Sequence, residues 1–162
     1  MKKYILMFFL IAMGYSATAQ MVYNFELPNI DGNKVRVGEI KGAKLTVLDF
    51  WATWCHPCIN SIPQFVKLSE KYHDKGVRFI GVNEDSPRNI AKVKPFASSI
   101  GITYPVLIDT NQQLLSSFMI DGFPTLLILD GSGKVLFTHL GYTNGDEVII
   151  DKKIDELLTK MD

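Results

Sequence analysis

The chain has 162 residues, 17 basic and 17 acidic, and 47% of them are hydrophobic. That balance excludes the basic stripe of a nucleic-acid binder and the charge block of an interaction tail. With only two cysteines it is not a cysteine-dense secreted framework, and its length suits one ordinary domain with a core of its own.

The first segment reads as a targeting signal. Lys2 and Lys3 precede an apolar run over 4–13, and small residues follow at Ala17, Thr18 and Ala19. This pattern predicts a secretory signal peptide over 1–19, cleaved after Ala19. The run is shorter than the roughly 20 apolar residues that span a bilayer, and no cysteine follows it to carry a lipid anchor. Cleavage removes two lysines and no acid, which leaves a net charge close to −2. The expectation is an exported, periplasmic protein whose single domain covers 20–162.

Beyond the signal, residues 44–50 (KLTVLDF) form a near-continuous apolar run, the mark of a strand covered on both faces. Pro57 suits the first turn of a helix, because its missing N–H would have no partner there. Ile62, Phe65, Val66 and Tyr72 then recur at helical spacing as far as Gly76, a natural stop, with a kink expected at Pro63. Residues 77–83 predict a second buried strand. Ser86 and Pro87 are expected to cap and open the next helix, which runs to Gly101 past Pro95. A short strand over 105–109, a short helix over 111–118, and strands over 125–129 and 134–139 joined by the DGSG turn follow. The last helix is predicted to be capped by Asn144 with Glu147 three residues on, its apolar face being Ile150, Ile154, Leu157, Leu158 and Met161. No internal repeat and no interdomain linker is present in this order, which describes an α/β sandwich with parallel and antiparallel strands in one sheet.

Both cysteines sit in WATWCHPC, residues 51–58. A structural crosslink over so short a loop constrains the unfolded chain little. A zinc site needs four ligands, and His56, His73 and His139 are scattered, so no metal is expected. The third reading is a disulfide that opens and closes. Cys55 falls where a buried strand meets a helix N-terminus, whose N–H groups and dipole favour a thiolate. Cys55 is therefore the candidate nucleophile, and Cys58, one turn further in, the thiol that resolves the mixed disulfide.

A CxxC pair at the mouth of the first βα unit is a thioredoxin-like arrangement. The chain resembles the exported TlpA/ResA-like branch of the thioredoxin fold through FELPNIDGNKV (25–35), VLDFWATWCHPC (47–58), Pro63, GFPT (122–125) and DGSGKV (130–135). The resemblance implies a three-layer sandwich: a mixed central sheet flanked by helices, with an N-terminal strand extension and a central βα-type insertion. It implies that Pro124 follows a cis bond and faces the CxxC, and that Trp54, Phe123, Pro124 and Thr125 border a groove for substrate. Trp51 and Trp54 are read first as packing and shielding around the disulfide.

Asp49, six residues before Cys55, matches the buried acid of thioredoxins, where many relatives in this branch carry asparagine. Burial raises a carboxyl pKa, so Asp49 is expected to take the proton from Cys58. His56 and Pro57, between the cysteines, are expected to tune the pair, a protonated His56 stabilising the Cys55 thiolate. His73 and His139 are read as surface or structural groups. Relatives that mature cytochromes resemble one another in a glutamate three residues after the second cysteine; Ser61 stands there, which argues against that role. The N-terminal segment also resembles that of peroxiredoxins, but their threonine three residues before the cysteine and their upstream proline are missing.

The implied function is reduction of protein disulfides by a monomer. No cofactor beyond the Cys55–Cys58 pair is expected, and a membrane partner supplies the electrons. The alternatives are an oxidase or isomerase of secreted proteins, and a module that binds a peptide, or copper on the two thiolates.

Overall fold

In the computed structural model, which describes residues 22–161, the architecture is organised by one strand, β3 (Leu45–Trp51). All seven of its side chains are buried. Such a strand has to be central, and it is. The predicted signal peptide lies outside the described residues.

Around β3 the sheet adds β4 (Val77–Asn83) and β5 (Val106–Ile108) in parallel on one side, and β6 (Thr125–Asp130) and β7 (Val135–Leu140) on the other. β6 is antiparallel to both β3 and β7, so the order is β5-β4-β3-β6-β7. The parallel pairs need crossovers, which helices provide. These are α2 (His56–Tyr72) between β3 and β4, and α3 (Ile90–Ser99) between β4 and β5. A separate hairpin of β1 (Glu26–Pro28) and β2 (Lys34–Arg36), followed by the short α1 (Val37–Ile40), forms the N-terminal extension. It joins the edge of the main sheet through a bridge between Asn29 and Leu107. α3, β5 and α4 (Gln113–Ser117) lie between β4 and β6, and α5 (Asp146–Thr159) closes the chain.

Alternation along the strands divides the core into two sides. Leu45, Val47, Phe79, Leu126 and Ile128 pack against Phe65, Leu68 and Tyr72 of α2 and Ile150, Ile154 and Leu158 of α5. Leu48, Phe50, Ile80, Val82, Leu127 and Leu129 face the other way, onto Val22, Tyr23, Val37 and Leu114. The result is the expected three layers. A third cluster, at the carboxyl end of the parallel strands, gathers Trp51, Cys55, Cys58 and Ile62 with Val93, Ala97, Val106 and Ile108.

Local structure departs from the sequence expectation at three helix starts. The third helix starts at Ile90, because the Asn89 N–H bonds the Ser86 carbonyl at 2.8 Å and spends residues 86–89 on a turn. Residues 111 and 112 are not helical. α4 begins at Gln113, with Asp109 accepting from the N–H groups of Gln113 and Leu114 at 2.8 and 2.7 Å. Asn144 does not cap α5. Gly145 stands at that position with φ +106°, and in the turn that leads into the helix Asp146 accepts from the Thr143 N–H and Glu147 from the Gly145 N–H. Met161 is exposed and leaves the apolar face of α5. Pro63 and Pro95 lie within their helices.

Phe65 joins α2 to the sheet and to α5 and is closed off from solvent. Phe65→Ala is expected to lower the unfolding free energy by about 3–5 kcal/mol, read from denaturant midpoints. A loss below about 1 kcal/mol would contradict the central place given to this contact.

Candidate active site

Trp51 ends β3, and within four residues the chain turns into α2. Cys55 is the N-cap residue of that helix, in extended backbone, and its Sγ accepts from the Cys58 N–H at 3.3 Å. The Cys55 and Cys58 sulfurs are joined in a disulfide, with Cα atoms 5.3 Å apart. Cys58 is fully buried and Cys55 is 4% exposed. His56 and Pro57, which occupy the first turn between them, are exposed.

The approach to Cys55 is held by a side chain that no sequence motif singles out. Asp85, just beyond β4, accepts from the Thr53 N–H and the Thr53 hydroxyl, both at 2.7 Å, and from the Asn83 amide at 2.9 Å. The Glu84 N–H donates to the Trp51 carbonyl at 2.9 Å. Residues 51–53 and 83–85 are thereby held side by side. The available signal was an acid immediately after a buried strand, which is too common to be specific.

The peptide bond between Phe123 and Pro124 is cis, as expected. Phe123 packs on the cluster that contains both cysteines and meets Trp54 edge to face, with ring centroids 5.7 Å apart. Trp54 is 58% exposed, so this pair forms an apolar rim open to solvent beside the disulfide. Trp51 differs. It is fully buried and stacks on Phe96 at 6.1 Å. Thr125 turns its hydroxyl back to the Gly122 carbonyl at 2.7 Å, and the Pro124 carbonyl accepts from the Gly141 N–H at 2.8 Å, which fixes the loop to the end of β7.

Asp49 is fully buried on the face of β3 shared with Val47 and Trp51, the face that α2 covers. Its Oδ2 accepts from the Tyr104 hydroxyl at 2.9 Å, and its Oδ1 has no partner among the described residues. Burial pushes its pKa up to about 7, against the opposing effect of the Tyr104 hydrogen bond. A carboxyl in that range exchanges protons at neutral pH. Glu84 is a second buried acid that the sequence reading missed. Burial and the neighbouring Asp109 push it up to about 8. Ser61 is buried, its hydroxyl donating to the Cys58 carbonyl at 3.0 Å. His73 and His139 stand apart from the disulfide, beside Asp74 and Asp146 respectively. Among the described residues no group of three or more His, Cys, Asp or Glu is placed to hold a metal ion.

The match to known proteins follows this geometry. Residues 18–138 match the model of the AhpC/TSA family. The chain belongs to that family. It is 36% identical to the thiol-disulfide oxidoreductase ResA of Bacillus thuringiensis over 73% of this chain and 66% of that protein, just under two thirds of its length. ResA of Geobacillus thermodenitrificans is 31% identical, with 83% of each chain covered. Among solved structures, a Chlorobium tepidum protein assigned as a thiol:disulfide interchange protein DsbE superposes with a TM-score of 0.76 at 30% identity, covering 85% of this chain and 94% of that one. The fold is thus thioredoxin-like.

Asp49 yields a pH signature. Its folded pKa lies above that of an unfolded aspartate, so its contribution to stability is fully present below about pH 4 and is lost as pH rises through about 7. Asp49→Asn is therefore expected to raise the unfolding free energy at pH 8 by about 2–4 kcal/mol, a gain that shrinks toward zero at pH 4. Equal effects at both pH values would contradict a buried, titrating Asp49. Asp85→Ala, which strands two Thr53 donors and one from Asn83, is expected to lower stability by about 2 kcal/mol in the same assay.

Proposed function

We propose that this protein is exported after cleavage behind Ala19, consists of one domain over 20–162, and works in the periplasm as a monomeric reductase of protein disulfides. The observation that carries this reading is the Cys55–Cys58 disulfide at the amino end of α2, beside an open rim of Trp54 and Phe123. No helix among the described residues is long and apolar enough to cross a membrane.

In the reduced protein Cys55 is the nucleophile. The Cys58 N–H that now meets Cys55 Sγ supports a thiolate there, together with the amino end of a 17-residue helix. The thiolate attacks one sulfur of a substrate disulfide, and the other substrate sulfur leaves as a thiolate. Cys58 then gives its proton to Asp49, and its sulfur attacks Cys55 Sγ and expels the second substrate thiolate. Two electrons have passed to the substrate, and the Cys55–Cys58 disulfide has formed. A membrane partner returns the electrons. Extended substrate backbone lies along Phe123, Pro124 and Thr125, with Trp54 at the edge of the groove, while His56 and Pro57 adjust the pair. Ser61 stands where relatives that mature cytochromes carry glutamate, which supports a broader range of substrates.

Cys55→Ser is expected to remove all measurable reduction of insulin disulfides while its circular dichroism stays that of the parent. Cys58→Ser should accumulate a mixed disulfide between Cys55 and substrate, seen as an added mass that dithiothreitol removes. Retention of more than about a tenth of the activity by Cys55→Ser would remove it as the nucleophile.

A further inference from the structure

Asp49 has one polar side-chain partner among the described residues, and it comes from outside the strand and helix that carry the cysteines. Tyr104 stands in the loop between α3 and β5, and its hydroxyl reaches Asp49 Oδ2 at 2.9 Å inside the core. Gly81 makes that reach possible. It is the register partner of Asp49 on β4, and its N–H donates to the Pro105 carbonyl at 2.8 Å, which pins the residue after Tyr104. A Cβ at position 81 would lie 3.2 Å from Tyr104 Cε2 and 3.0 Å from Trp51 Nε1. The ring thus occupies a slot that a side chain would fill, backed by Phe79 with centroids 6.1 Å apart.

We propose that Tyr104 is a positioning residue for the second chemical step: it holds Asp49 Oδ2, so that the partnerless Oδ1 receives the Cys58 proton, and it sets the pH at which that oxygen is free to do so. This rests on the reading of Asp49 as the base. The elements around Asp49 offer little else that could set its proton affinity. β4 presents Gly81 and β6 presents Leu126 in register. Along β3 the same face carries Val47 and Trp51, onto which α2 packs Phe65, Ile62 and Cys58. Of the titratable groups on these elements, Tyr104 bonds the carboxyl, and Cys58, a thiol once the disulfide opens, lies in the adjoining cluster with Trp51.

The sign follows from the donor. A hydroxyl donating to a carboxylate favours the ionised form, so its removal raises the midpoint at which Asp49 loses its proton. In the oxidised protein, where no thiol titrates, the Asp49 carboxyl carbon can be followed from pH 4 to 10 by NMR after carbon-13 labelling of aspartate. Tyr104→Phe is expected to raise its midpoint by about one unit. In reduced protein with excess peptide disulfide, the same variant should release the second thiol about fivefold more slowly at pH 7, with rates within about twofold of the parent at pH 9.5. Gly81→Ala, whose Cβ would press on the ring at 3.2 Å and make it give by a few tenths of an ångström, lengthening its bond to Asp49, should move the midpoint in the same direction and provides the reading if Tyr104→Phe fails to fold. An unmoved carboxyl midpoint overturns the role of Tyr104. A shifted midpoint with an unmoved rate profile overturns Asp49 as the base, and with it the part given to Tyr104 in the reaction.

Discussion

The Cys58 N–H directed at Cys55 Sγ is the interaction around which the site is arranged. It exists only because a strand with every side chain buried runs into a helix with four intervening residues. Cys55 stands at the cap and Cys58 one turn deeper, so a single helix end gives the two sulfurs different surroundings. One borders the Trp54 and Phe123 rim, and the other is enclosed by the core. The proposed division of labour between nucleophile and resolving thiol rests on this difference in position together with the helix end that favours a thiolate at Cys55. Asp85 keeps the turn in place from the neighbouring strand.

Burying acids beside this turn opposes folding. Asp49 and Glu84 both lie where water is excluded, and both are pushed toward or past neutral pH. An asparagine at position 49 would keep a partner for the Tyr104 hydroxyl without the cost of a buried charge, so stability gives no reason for the carboxyl. The proposed proton transfer does, because a base poised near the working pH has the right affinity to take a thiol proton and give it up again. Perturbed acids next to a redox-active pair are where such a function is expected.

Much of this was legible in the sequence, for physical reasons. The apolar run before WATWCHPC could only be a covered strand, and Pro57 could only open a helix, so the position of the cysteines followed. Strand 77–83 was placed to the residue by its buried pattern. Two of the misplaced boundaries share one cause. Asp109, Asp146 and Glu147 satisfy helix or turn donors from positions that no local capping pattern describes, and Asn144, which fits the pattern, does not. Tyr104 was illegible for a related reason. Its hydrogen bond to Asp49 spans 55 positions and depends on a glycine in a third segment, and only the register of β3 with β4 brings the three together.

The equilibrium reduction potential of the Cys55–Cys58 pair tests the central claim most directly. Protein lacking residues 1–19 would be equilibrated in graded dithiothreitol or glutathione buffers and its free thiols counted. A potential near or below about −250 mV is the result expected of a reductase fed from a membrane donor. A value above about −180 mV would mean that the pair takes electrons from its substrates, and the protein would be an oxidase or isomerase.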